Sequence, residues 1–78
     1  MDTIKLDYPI DFEGGKLKEI HIRRPKVGDL VAARKSKKDE AEQEIAMLSK
    51  LTDIPPDTIE QLDVADYKKI QEVLTSFF

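Results

Sequence analysis

Cysteine and tryptophan are absent from this 78-residue chain, and histidine occurs once. Without Cys there is neither a disulfide nor a thiolate zinc site to supplement the core. A domain this small buries only ~60% of the surface its unfolded chain exposes. The lack of Cys suits a reducing compartment. No apolar run approaches the ~20 residues of a membrane-spanning helix. Met1-Asp2-Thr3-Ile4 lacks the basic and apolar regions of an export signal, so a soluble, non-exported protein is expected. One His and scattered Ser supply no nucleophile, base and orienter, which leaves enzymatic catalysis without a residue constellation. His21 and Glu19, with Asp7 across the predicted hairpin, offer at most three ligands where a structural zinc site takes four. Gly14-Gly15 joins two strands and opens no helix, so it lacks the context of a phosphate cradle. The expectation is no catalytic residue, no metal and no cofactor.

What the chain does have is charge, at 37% of residues, and the charge is segregated. Residues 1–15 carry one Lys against four acids. Residues 16–38 carry nine Lys and Arg against Glu19 and Asp29, and residues 39–78 carry three Lys against ten acids. Arg23, Arg24, Lys26, Arg34, Lys35, Lys37 and Lys38 form a basic patch within the middle block. No aromatic residue is interleaved there for base stacking, and the acidic remainder repels phosphate.

The first segment alternates. Ile4, Leu6, Tyr8, Ile10 and Phe12 are apolar with polar residues or Pro between them, the period of a strand with one buried face. Pro9 cannot donate to a ladder and points to a sheet edge. A second strand over Leu17–Arg23 places Ile20 and Ile22 on the core face. A three-residue loop, Glu13-Gly14-Gly15, pairs Tyr8 with Ile20 and Leu6 with Ile22 and sets Asp7 opposite His21. The hairpin is expected over about 3–24. Arg24-Pro25 ends it, and helices are predicted at about 27–36, 39–52, 56–61 and 63–77. Asp39 and Asp63 are the N-caps of the second and fourth. Ala41, Ile45, Leu48 and Leu51 form one apolar stripe, and Val64, Tyr67, Ile70, Leu74 and Phe77 form another. A lone hairpin is marginal, so its apolar face must lie on the helices. The expected fold is α+β, an N-terminal antiparallel hairpin packed on three to four short helices in one domain, residues 1–78.

Acidic Glu40, Glu42 and Glu44 oppose the dipole at a helix N-terminus, which accounts for them without chemistry. The apolar stripes exceed what so small a core readily covers. Met47, Leu51, Leu74, Phe77 and Phe78 are therefore the candidate partner-binding residues.

Four segments, in this order and spacing, resemble the small tail assembly chaperones of contractile-tailed bacteriophages. They are Arg24-Pro25-Lys26-Val27-Gly28-Asp29-Leu30, then Glu42-Gln43-Glu44-Ile45-Ala46-Met47-Leu48, then Leu51-Thr52-Asp53-Ile54-Pro55-Pro56, then Leu62-Asp63-Val64-Ala65-Asp66-Tyr67. The preceding hairpin fits as well. Lys26 departs from the pattern, standing where a small capping residue such as Thr is expected. The resemblance implies a non-catalytic role: binding the tape-measure protein and keeping it soluble until tail-tube subunits polymerise around it. It places the chain in the bacterial host cytoplasm and not in the mature virion. It also implies a longer product of ribosomal frameshifting near Phe77-Phe78 that engages the tail-tube subunit, with no nucleic-acid or membrane partner. The alternatives are a small phage or prophage nucleic-acid-binding regulator using the basic segment 23–38, and a generic interaction subunit with another partner.

Overall fold

The computed structural model describes residues 2–78; Met1, where the stretch read for an export signal begins, lies outside the described residues. Strands β1 (Asp2–Phe12) and β2 (Gly15–Ile22) form a two-stranded antiparallel sheet. Helices α1 (Val27–Lys35), α2 (Glu40–Thr52), α3 (Pro56–Ile59) and α4 (Val64–Ser76) follow, so the fold is α+β. The core is aliphatic. Ile4, Leu6, Ile20 and Ile22 of the hairpin meet Leu48 and Leu51 of α2, Ile54, Ile59 of α3, and Ile70 and Leu74 of α4. Helix α4 packs along β1 while α2 packs on β2, and the backbone N–H of Arg23 donates to the Leu51 carbonyl at 3.1 Å, fastening the end of the hairpin to the last turn of α2.

The hairpin register differs from the expected one. The turn has two residues, Glu13 and Gly14, both at positive φ (51° and 79°), and Phe12 pairs with Gly15. Positive φ at both central positions is the type I′ requirement, whose twist matches that of the strands, and it prevails over a bulged three-residue loop. The irregularity lies instead inside β1, where Leu6 to Pro9 stand across from Lys18 alone. Beyond it Ile20 faces Ile4, Ile22 faces Asp2, and His21 faces Thr3, not Asp7. The alternation of β1 therefore breaks at the bulge, and Tyr8 is 58% exposed instead of lining the core.

Asp66 of α4 explains why the bulge is tolerated. Its carboxylate is fully buried and accepts the consecutive N–H groups of Asp7 (2.8 Å) and Tyr8 (3.0 Å), which the bulge turns away from the ladder. Pro9 has no N–H to leave orphaned. Lys69, one helical turn beyond Asp66, reaches its carboxylate at 3.5 Å, Asp7 at 2.8 Å and the Lys5 carbonyl at 3.2 Å. The kink in β1 and the position of α4 are thus set together.

Local chemistry fixes the helix starts. Asp39 accepts from the Glu42 N–H and Asp63 from the Ala65 N–H, each at 2.9 Å. At α1 the Lys26 side chain has nothing to accept with, and Asp29 instead reaches back to the Lys26 N–H at 2.8 Å. Asp53 ends α2 in the left-handed region (φ 59°), one of the few side chains that visit it routinely. Pro56 then opens α3 at its first position, where a missing N–H costs nothing.

Candidate functional site

The caps at Asp39 and Asp63 aim two rows of side chains at each other. On α2 the row is Glu40, Glu44 and Met47; along and just past α4 it is Tyr67, Gln71, Leu74 and Phe78, each set at helical steps of three and four. Where the rows meet, the Tyr67 hydroxyl donates to Glu44 Oε2 at 2.6 Å and Gln71 Nε2 donates to the same oxygen at 3.1 Å. Burial, then the hydrogen bond and charge of Glu44, push the Tyr67 hydroxyl pKa well up, so the phenol stays a donor. Glu44 is half-buried, held only by neutral donors, and among the described residues it has no ion pair.

Two open grooves flank this contact. One, about 210 Å³, runs between Glu40, Glu44 and Met47 of α2 and Leu74 and Phe78. The other, about 370 Å³, lies between Ile45, Ile59, Leu62, Val64 and Tyr67, with Glu60 on its rim. Three acids and no cation line the two together. Neither groove holds a constellation suited to covalent or redox chemistry. Among the described residues, no group of three His, Cys, Asp or Glu side chains is placed to hold a metal ion. The arrangement is suited to burying apolar side chains of something else.

The five candidate contact residues occupy different depths. Met47, Leu74 and Phe78 meet at the first groove, with Phe78 69% exposed and Leu74 at 7% forming its floor. Phe77 is half-buried against the core, with the Arg24 guanidinium 4.9 Å from its ring centroid. Leu51, at 3% exposure, lies inside the core. Of the basic patch, Arg23 makes a two-pronged pair with Asp29 (2.9 and 3.1 Å), and Arg24 covers Phe77. Arg34, Lys35, Lys37 and Lys38 are exposed at the end of α1 and in the loop after it, and Lys26 is exposed before it.

The sequence did not single out Glu44, Tyr67, Ile45 or Leu62 as groove residues. Ile45 and Tyr67 sit on the apolar stripes and read as core, while Glu44 read as a helix-dipole partner. The available signal was the matched spacing of Glu40, Glu44 and Met47 with Tyr67, Gln71 and Leu74, which puts an acid among apolar side chains.

The described residues form an α+β hairpin-and-helix domain with two open apolar grooves. A family model described as phage tail assembly chaperone proteins, E, or 41 or 14, matches residues 3–78, and the chain belongs to that family. No curated protein and no solved structure matches it. Among the described residues no helix is long and apolar enough to cross a membrane.

Proposed function

We propose that this tail assembly chaperone binds the tape-measure protein in the host cytoplasm and keeps it soluble until tail-tube subunits polymerise around it. A tape measure is a long helical chain whose apolar stripes aggregate when uncovered. A small module with an apolar groove shields one stretch of stripe, and many weakly held copies are readily displaced by incoming tube subunits. The observation that carries this reading is the open groove at Met47, Leu74 and Phe78, with an aromatic ring left in solvent at its mouth. Phe77 packs on the core beneath Arg24, and Leu51 lies inside the core. A longer, frameshifted product linking the same module to the tail-tube subunit fits this scheme.

The test is co-expression with the tape-measure protein, scored for soluble complex. The wild-type chain is expected to raise soluble tape-measure protein and co-purify with it. Phe77→Ala with Phe78→Ala is expected to weaken the complex about tenfold. Phe78→Ala alone, which removes only an exposed ring, separates lost contact from lost fold. A tape-measure protein that stays insoluble beside abundant folded chaperone would contradict the reading.

A further inference from the structure

Three observations bear on what kind of helix the grooves accept. Both grooves are lined from α2 and α4 and lie on either side of the Glu44–Tyr67 contact, since Glu44 lines one and Tyr67 the other. Their charged lining is acidic throughout: Glu40 and Glu44 in the first, Glu60 in the second. Lys38 lines a neighbouring hollow with Glu60, yet among the described residues none of the chain's cations pairs with Glu40, Glu44 or Glu60. Among the described residues no ion pair joins the basic segment 16–38 to the acidic segment 39–78, and the pairs that form are Lys16–Asp11, His21–Glu19, Arg23–Asp29 and Lys69 with Asp7 and Asp66. Glu44 in particular is a half-buried carboxylate facing apolar side chains with neutral donors only, a place where an incoming cation gains more than it does in open water.

We infer that the two grooves form one docking track for an amphipathic α-helix whose apolar stripe is flanked by Lys or Arg. The apolar side chains, at i, i+3/i+4 and i+7, seat on Met47, Leu74 and Phe78 and beyond the Tyr67 contact on Ile45 and Leu62. The flanking cations pair with Glu40, Glu44 and Glu60. The inference rests on the proposed chaperone reading and names the client segment it takes: the stretches of the tape-measure protein with basic flanks, and not those with acidic ones. Charge complementarity sets the choice of stretch and the rate of capture, while the apolar stripe holds the complex. A rim of this kind also makes capture sensitive to salt, because the pairs lie near solvent.

The probes are two synthetic helical peptides with the same Leu stripe, one flanked by Lys and one by Glu, titrated into the full chain by fluorescence anisotropy at low and high salt. The Lys-flanked peptide is expected to bind at least tenfold more tightly at low salt. The triple variant Glu40→Gln, Glu44→Gln, Glu60→Gln is expected to remove most of that preference. A control triple that changes the same number of charges off the track, Asp2→Asn, Glu13→Gln, Glu72→Gln, is expected to shift binding less than twofold. Equal losses in both triples would mean attraction to net charge alone and would overturn the inference, as would equal binding of the two peptides or no binding. Sedimentation of the chain alone covers the remaining occupant: a dimer that dissociates in the groove triple would assign the track to a second copy and also overturn it. If the co-expressed complex forms but ignores the groove triple, the chaperone reading survives and this site for it does not. If no complex forms while the peptide preference holds, the reverse applies.

Discussion

Asp66 is fully buried and holds two consecutive backbone N–H groups of the kinked strand β1. Burial alone pushes a carboxyl pKa up, but the N–H groups of Asp7 and Tyr8, with Lys69, outweigh it and leave the pKa below the usual value. Asp29 behaves alike: the hydrogen bond from Arg23, then the N–H of Lys26, hold it at about 2. Groups whose folded pKa is depressed contribute stability above their unfolded value, near 3.9 for Asp, and lose it as pH falls through the folded value. The urea midpoint of the wild-type chain is therefore expected to fall as pH drops from about 4 toward 2, and Asp66→Asn is expected to flatten part of that fall. At neutral pH, Asp66→Ala strands two N–H groups and Lys69 at once, with an expected cost of about 2–4 kcal/mol. A variant that unfolds like wild type at both pH values would show that the clamp stabilises nothing. No pattern in the sequence pointed to this residue. It stands one position from Tyr67 of the apolar stripe, and its role appears only once the bulge supplies donors 58 and 59 positions away.

At the scale of elements, legibility followed how local each cause is. Asp39 and Asp63 act on N–H groups two or three residues ahead, and their capping was readable from spacing. The core faces of β2, α2 and α4 were readable too, because Ile20, Ile22, Leu48, Leu51, Ile70 and Leu74 repeat at strand or helix period and are buried. The β1 register was not, since a turn with Glu13 at positive φ and a bulge satisfied by a distant carboxylate both lie outside any local pattern. Helix α1 is the other exception. Val27, Leu30 and Val31 have helical spacing, yet α1 buries no residue and Val27 is 77% exposed. It rests on α2 through half-buried Ala32 and Ala33 and is tied to the hairpin by Arg23–Asp29, a partly exposed pair that solvent screens and weakens. Its amides are expected to exchange with deuterium before those of α2 and α4, and Arg23→Gln is expected to speed α1 exchange about threefold while leaving α4 unchanged. Exchange of α1 at the α4 rate in wild type would contradict this weak attachment.

The whole molecule divides its labour. One side is an aliphatic core clamped to a kinked hairpin, and the other is a pair of apolar grooves rimmed by acids between α2 and α4. Among the described residues the segregation of charge along the chain does not bring its basic and acidic blocks into ion pairs, which is what the proposed capture of a basic-flanked helix relies on. Part of this candidate site was legible: Met47 and Phe78, read as surplus apolar side chains, line the first groove, whereas Leu74, read the same way, is a core residue that forms its floor. The second groove was not, because Ile45 and Tyr67 are indistinguishable from core by periodicity and line a groove only once Ile59, Leu62 and Val64 are brought beside them. The most direct measurement is hydrogen–deuterium exchange of the chain alone and in complex with the tape-measure protein. Slowed exchange in Glu40–Met47 and at Leu74–Phe78, with the hairpin unchanged, is the predicted result. Slowing confined to the Asp2–Ile22 hairpin would show that the client sits elsewhere and that the grooves are not its binding surface.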